Sequence, residues 1–270
     1  DVMTVAGLHA SLVAVPGVAV PESPAVQRQV GEAVAYLASA EAHAALRSDP
    51  YWPKWRSPWW DMVALYELGH AERIPKRIAV AMVAALDAMP LHVFPIRDDE
   101  WPPDVDRRRH TSCHCALGTM DQVLRACGVD VDRELPWVAA WYARYQMADG
   151  GYNCDETAYL AAGAPPSSMV ATVPILEALV QRAPSELADR AAEMLIAREL
   201  RRGSPTAHNA DERAAALHWG ELCCPRFYFY DVLRGTVALT SWATAHGRSL
   251  PLAAIAPVLD HLLAHAAAGI

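Results

Sequence analysis

Four apolar segments with helical periodicity recur along this chain at nearly constant spacing. They span residues 57–69, 112–128, 167–181 and 226–247, so their starts are 55, 55 and 59 residues apart. In the second segment Cys113, Leu117, Met120, Leu124 and Cys127 follow at three- and four-residue steps. This spacing is typical of an apolar stripe along one side of a helix. The repeat therefore predicts a core built from regularly spaced helices.

More polar amphipathic segments separate these apolar ones. They span residues 75–89, 133–147 and 185–201, with 24–46 and 251–267 at the two ends. A pair of one inner and one outer helix cannot by itself bury the apolar face of the inner helix. Neighbouring helix pairs must therefore stack on one another. Apolar residues make up 53% of the chain with only three Phe, which favours helix over sheet. We predict a single all-α domain over 1–270, with 1–23 an apolar N-terminal extension.

The long loops of this repeat hold its unusual side chains. They span residues 49–60, 94–114, 149–168 and 218–231, and each leads into the start of an apolar helix. A helix start presents unpaired N–H groups and the positive end of the helix dipole. If the repeats stack, these loops lie on one rim. We therefore expect a binding pocket at that rim.

Charge and hydropathy exclude some classes of partner. The net charge is −8, and the basic run Arg107–Arg109 is flanked by acids, which argues against nucleic-acid binding. No segment has eighteen uninterrupted apolar residues, so we expect no transmembrane helix. The N-terminus lacks a basic n-region and is broken by Pro16, and six Cys are few for a disulfide-rich chain. We predict a reduced, cytoplasmic protein.

Four motifs resemble one known superfamily. They are "DGGYNCDE" at 149–156, "CALGTM" at 115–120, "PKWRSPWWDMVALYELG" at 53–69 and "CCPRFYFYDVLRG" at 223–235. Their order and spacing resemble the α/α-toroid superfamily of terpenoid cyclases and protein prenyltransferases, and in particular a bacterial prenyltransferase-like branch. The resemblance implies a ring or partial ring of about four to five helical hairpins. The Asp-x-Asp-Asp and Asp-Asp-x-x-Asp motifs of carbocation cyclases do not occur here.

Cysteines and histidines on or next to the rim loops form a candidate zinc site. Zn²⁺ prefers thiolate and imidazole ligands and accepts carboxylate, and thiol pKa values fall at a helix N-terminus. "HTSCHC" at 110–115 also resembles the zinc-binding stretch of protein prenyltransferases, with one residue inserted. The alternative is that the thiols are buried apolar side chains and that Asp155 caps a turn. The predicted ligands are His114, Cys115, Cys154 and Asp155, with His110, Cys113, His218, Cys223 and Cys224 in reserve.

Aromatic side chains gather on the same loops. Their faces could hold an isoprenoid chain or stabilise a positive charge, although helix-end packing would equally explain Trp59 and Tyr228. Asp231 could orient a polar head group or complement the dipole of its helix. The predicted substrate-binding residues are Trp59, Trp60, Trp101, Tyr152, Trp219, Tyr228 and Arg226, and the predicted catalytic residues are His114, Asp155, Tyr230 and Asp231. His208, His246, His261 and His265 are expected to be solvated.

Three functions remain open from the sequence. The resemblance implies an enzyme, of transferase or cyclase/lyase type, that acts on a hydrophobic, isoprenoid-like small molecule. A non-catalytic protein could use the same pocket for a lipid-like ligand or a partner. The third is zinc-dependent thiol chemistry as in lanthionine cyclase-like toroids, whose Cys-His-Gly is similar to Cys113-His114-Cys115 with Cys115 in place of the glycine.

Overall fold

The computed structural model describes residues 23–89, 95–101, 103–104 and 113–267. Twelve α-helices and several short 3₁₀ turns make up the regular structure of these residues, which hold no β-strand. The prediction of an all-α protein is thereby confirmed. Apart from Ser23, the predicted N-terminal extension lies outside the described residues. In the part of the chain described, no helix has both the length and the hydropathy needed to cross a bilayer.

The chain divides into two compact units. The N-terminal unit runs to Arg144 and also takes in Cys224–Phe227, and the C-terminal unit comprises Tyr145–Cys223 and the residues from Tyr228 onwards. The helices of the N-terminal unit are α1 (Pro24–Leu37), α2 (Ala40–Ser48), α3 (Pro58–Glu67), α4 (Lys76–Asp87), α5 (His114–Ala126), α6 (Val131–Glu134) and α7 (Trp137–Tyr145), which ends at the boundary. Those of the C-terminal unit are α8 (Met169–Leu179), α9 (Glu186–Ala197), α10 (Ala210–Ala215), α11 (Val232–His246) and α12 (Leu252–Ala267).

Serine side chains cap the N-termini of the first two helices of the N-terminal unit. Ser23 Oγ accepts a hydrogen bond from Val26 N, and Ser39 Oγ accepts one from Ala42 N. The second cap divides the predicted segment 24–46 into two helices, because a serine at this position satisfies the N–H groups of a new helix start. Within this unit α3 packs against α1 and α5, and α2 packs against α4.

Helix α5 is the most deeply buried element of this unit. Every residue from His114 to Leu124 is buried, which includes the polar Asp121 and Gln122. The buried Asp121 carboxylate accepts hydrogen bonds from Arg125 Nε at 2.9 Å and from Tyr142 Oη at 2.9 Å. These partners satisfy the charge where water is excluded. Helix α5 is therefore buried on all its sides, whereas its sequence predicts the burial of a single apolar stripe.

Side-chain caps also define the helices of the C-terminal unit. Ser168, Ser185 and Asp231 cap α8, α9 and α11, respectively, each by accepting from a backbone N–H three residues on. Helix α8 packs against α9 and α11, and α9 also packs against α11 and α12. The Asp231 cap starts α11 six residues later than the periodicity at 226–247 predicts.

The Asp149-Gly150-Gly151 turn connects α7 to the start of α8. Ser167 Oγ donates to the Asp149 carboxylate, and Tyr152 N donates to Thr172 Oγ1 at 2.9 Å. Gly150 has φ +91°, and a Cβ atom there would overlap the backbone carbonyl of Arg190 on α9. The glycine therefore permits both the turn and the close approach of helix α9.

We expect Gly150→Ala to lower the free energy of unfolding more than Gly163→Ala does. Both positions have positive φ, +91° and +95°, so both variants carry backbone strain of roughly 1 to 3 kcal/mol. Only at Gly150 does the added methyl overlap neighbouring backbone, which should add about 1 to 3 kcal/mol. Urea unfolding of the two variants measures the difference. Equal losses would show that α9 does not approach this turn as described.

Candidate metal centre

Two thiols lie together at the start of the buried helix α5. Cys113 occupies the N-cap position with extended backbone, and Cys115 lies in the first turn. Their Sγ atoms are 3.3 Å apart, with Cys115 buried and Cys113 partly exposed. The two thiolates of one tetrahedral zinc lie about 3.8 Å apart, given Zn–S bonds of about 2.3 Å. The pair would therefore have to open by only about 0.5 Å to ligate one ion.

The pair lies at the end of α5 that carries the unpaired N–H groups and the positive end of the helix dipole. At the opposite end of the same helix, burial raises the pKa of the Cys127 thiol to about 11. One helix thus carries two thiols at its positive end and a thiol that stays protonated at its negative end.

His114 lies between the two cysteines and is fully buried. Its ring contacts the Trp141 ring edge to face, with centroids 5.8 Å apart. The side chain is thus part of the packing between α5 and α7. Its predicted roles as zinc ligand and catalytic residue stay predictions.

Cys154 and Asp155 follow the glycine turn in the C-terminal unit. Cys154 is partly buried, and the backbone N–H of Asp155 donates to Asn153 Oδ1 at 2.9 Å. Asp155 Oδ1 accepts from Thr157 N and Thr157 Oγ1 and caps a 3₁₀ turn, while its Oδ2 lies 3.0 Å from His208 Nε2. Asp155 therefore caps this turn, which is the alternative role that the sequence left open for this residue.

The local partners of Asp155 also set its ionisation. Burial raises the pKa of its carboxyl, but the hydrogen bonds from Thr157 and the charge of His208 outweigh burial, and the pKa is lowered overall. The group is thus an anion held by neighbours of its own unit. The predicted ligand role of Cys154 stays a prediction, whereas within the N-terminal unit Cys113 and Cys115 bring two thiols together.

The predicted aromatic residues of the N-terminal unit are packed side chains. Trp59 Nε1 donates to Ala116 O at 3.3 Å and Trp60 Nε1 to Tyr51 O at 3.2 Å, and both rings are buried. Trp101 is half-buried beyond a 3₁₀ turn at Asp98–Glu100. Arg226 donates its backbone N–H to the Glu67 carboxylate.

Two predicted residues of the C-terminal unit, Tyr230 and Asp231, lie at the start of α11. The buried Tyr230 Oη donates to Leu200 O at 2.7 Å, and its ring packs edge to face on Trp219. Asp231 is fully buried and accepts from Arg234 N and from Cys223 N. Tyr152 is fully buried, Tyr228 is half-buried beside Phe229, His218 pairs with Glu221 at the surface, and Cys223 is exposed. Cys224, which belongs to the N-terminal unit, is also exposed. His110 lies outside the described residues.

One prediction about histidines is wrong. His246 was expected to be solvated, but its side chain is 2% exposed and its Nδ1 lies 2.8 Å from Asp189 Oδ1. The same Asp189 accepts from Trp242 Nε1 and pairs with Arg248. The pairing joins α9 to α11, residues 57 apart in sequence. Helical periodicity places each residue on a helix face but does not identify its partner on another helix.

Asp61 was also missed by sequence analysis. It lies in the first turn of α3 and lines a cleft of about 470 Å³ together with Tyr36, Trp55 and Arg56. Burial raises the pKa of its carboxyl to about 6. A first-turn aspartate usually needs no explanation beyond the helix dipole, so the sequence offers no signal for this shift.

Comparison of the chain with protein-family models, with curated protein sequences and with solved structures finds no match. Membership of the α/α-toroid superfamily therefore stays a prediction from the motifs.

We expect Asp61 to make the protein less stable as pH rises from about 4 to about 6. Its folded pKa is raised, so the folded state favours the protonated form, and that contribution is lost as pH rises through the folded pKa. The shift would correspond to about 3 kcal/mol for a group shielded from water, and partial exposure reduces this to about 1 to 2 kcal/mol. Asp61→Asn should gain this stability relative to the wild type near pH 7.

Urea unfolding of the wild type and Asp61→Asn at several pH values tests this expectation. Near pH 4 the carboxyl is protonated in the folded state, so the two proteins should unfold at similar urea concentrations. A constant difference between them across this pH range would contradict the burial of Asp61.

Proposed function

We propose that the protein binds a metal ion through the thiolates of Cys113 and Cys115, and that the ion is zinc. The observation that carries the proposal is the Cys113–Cys115 pair, with sulfur atoms 3.3 Å apart at the buried start of α5. Cys154 is a ligand predicted from the sequence, and the variant described below tests it. Soft thiolates favour Zn²⁺ over Mg²⁺ or Ca²⁺, which take oxygen ligands.

The number of protein ligands at a zinc site has chemical consequences. Catalytic zinc sites keep a fourth position for water or substrate, whereas structural sites are closed by four protein ligands. Zinc supplies Lewis acidity and lowers the pKa of a bound water or thiol. The helix start contributes its dipole, and the proposal requires a compartment in which thiols stay reduced.

We further propose that this ion serves a reaction on a hydrophobic small molecule, as the toroid resemblance implies. The supporting observation is the aromatic group beside the pair. Trp59 donates to the carbonyl of Ala116, the residue after Cys115, and its ring packs against Tyr51 and Trp60. The arrangement of the helices as a ring belongs to the same proposal. Binding of a lipid-like ligand without catalysis and lanthionine cyclase-like thiol chemistry are its alternatives.

We expect the purified protein to contain one equivalent of zinc and Cys115→Ser to lose it. Serine is nearly isosteric with cysteine but is a poor ligand for zinc. Cys113→Ser should weaken binding in the same way. The matched control is Cys127→Ser, a thiol on the same helix whose pKa is raised to about 11 by burial, and it should retain the ion.

Elemental analysis measures the zinc content, and Co²⁺ substitution with absorbance spectroscopy reports thiolate ligation. Protein prepared with added zinc should be compared before and after dialysis against a chelator. Wild-type protein that retains no zinc and shows no thiolate-to-cobalt absorption would overturn the proposal.

Cys154→Ser separates a ligand from a packed thiol. If Cys154 is a ligand, the variant should lose zinc and show a change in the cobalt spectrum. If Cys154 is a packed thiol, the substitution should cost only roughly 1 to 2 kcal/mol of unfolding free energy and leave the zinc content unchanged. If Cys154→Ser retains zinc and Cys115→Ser loses it, Cys154 is not a ligand. The site would then consist of the α5 pair and other ligands.

A further inference from the structure

A groove runs between helices α2 and α4 of the N-terminal unit. Its volume is about 580 Å³, within the range of about 300 to 1,000 Å³ typical of small-molecule sites. None of the zinc or substrate residues predicted from the sequence lines it. Its described lining residues are His43, Leu46, Arg47, Ser48, Pro50, Ala81, Ala84, Ala85, Ala88 and Met89.

The floor of the groove is apolar, and α4 contributes only small side chains to it. Four alanines at positions 81, 84, 85 and 88 repeat at helical spacing. The buried Leu46 and Met89 complete the apolar surface. Larger side chains at the alanine positions would fill the space between the helices, so the sequence of α4 leaves room for an apolar chain.

The polar groups of the groove come mainly from α2. His43 and Arg47 lie one turn apart on this helix, and both line the groove. None of the described lining residues is acidic, although the protein carries a net charge of −8. The groove thus combines an apolar floor with a cationic edge. Charge complementarity favours an anion whose remaining part is apolar.

We propose that this groove binds a single-chain amphiphile with a carboxylate head, of the fatty-acid class. The alkyl chain lies on the alanines of α4, where each buried CH₂ group contributes to binding. The carboxylate pairs with the guanidinium of Arg47, a geometry in which two parallel hydrogen bonds form. The ligand binds without chemical change, and the site is independent of the proposed zinc ligands.

Calorimetric titration of the full chain with dodecanoate, below the concentration at which it forms micelles, tests the proposal. We expect saturable binding at one site per chain. Arg47→Gln should weaken it about tenfold, and Ala84→Phe should abolish it by covering the floor. The matched controls are Arg77→Gln and Val80→Phe, exposed positions on α4 outside the groove, which should bind as the wild type does.

A cationic analogue separates charge complementarity from non-specific apolar binding. Dodecyltrimethylammonium should bind at least tenfold more weakly than dodecanoate. The proposal is overturned if dodecanoate does not saturate one site, if both amphiphiles bind equally, or if Arg47→Gln and Ala84→Phe bind as their controls do. Circular dichroism of each variant verifies that it is folded, and removal of zinc by a chelator should leave dodecanoate binding unchanged.

Discussion

The burial of helix α5 on all its sides is the constraint on which the N-terminal unit depends. Buried polar groups on such a helix are costly unless they are hydrogen-bonded within the protein. Asp121 does so through Arg125 and Tyr142, and Gln122 donates to the Gly118 carbonyl. The positive end of the helix is also buried, so its dipole is screened less than at a surface. An anion placed there gains more than it would on an exposed helix.

This electrostatic setting distinguishes the thiols of α5 from one another. Cys113 and Cys115 lie at the positive end, whereas Cys127 lies at the negative end, where burial alone raises its pKa. Chemically identical side chains thus lie at opposite ends of one helix dipole. A metal ion bound at the positive end would hold the pair as thiolates outright. The location of the thiols on the helix therefore supports metal binding more strongly than their number does.

Helix positions could be predicted from the sequence, whereas most side-chain partners could not. The apolar segments 112–128 and 167–181 contain α5 (His114–Ala126) and α8 (Met169–Leu179), because helical periodicity reports directly on burial. The caps Ser39 and Asp231 moved boundaries that periodicity alone placed wrongly. Partners such as Asp189 for His246 join residues far apart in sequence, and periodicity carries no information on which faces meet. The pairing of Cys113 with Cys115 is local, so the sequence signal for it was present in the Cys-x-Cys spacing.

The Asp-Gly-Gly-Tyr motif shows why a resemblance between motifs does not by itself identify a reaction. Asp149 accepts from Ser167 Oγ and pairs with Arg198, and Tyr152 is buried with its N–H bound to Thr172. Gly150 and Gly151 leave space for Arg190 of α9 and for Ser167 at the start of α8. Each residue of the motif thus has a structural role within the C-terminal unit. The case for a function therefore depends on the thiols of Cys113 and Cys115, whose sulfur atoms lie 3.3 Å apart at the start of α5.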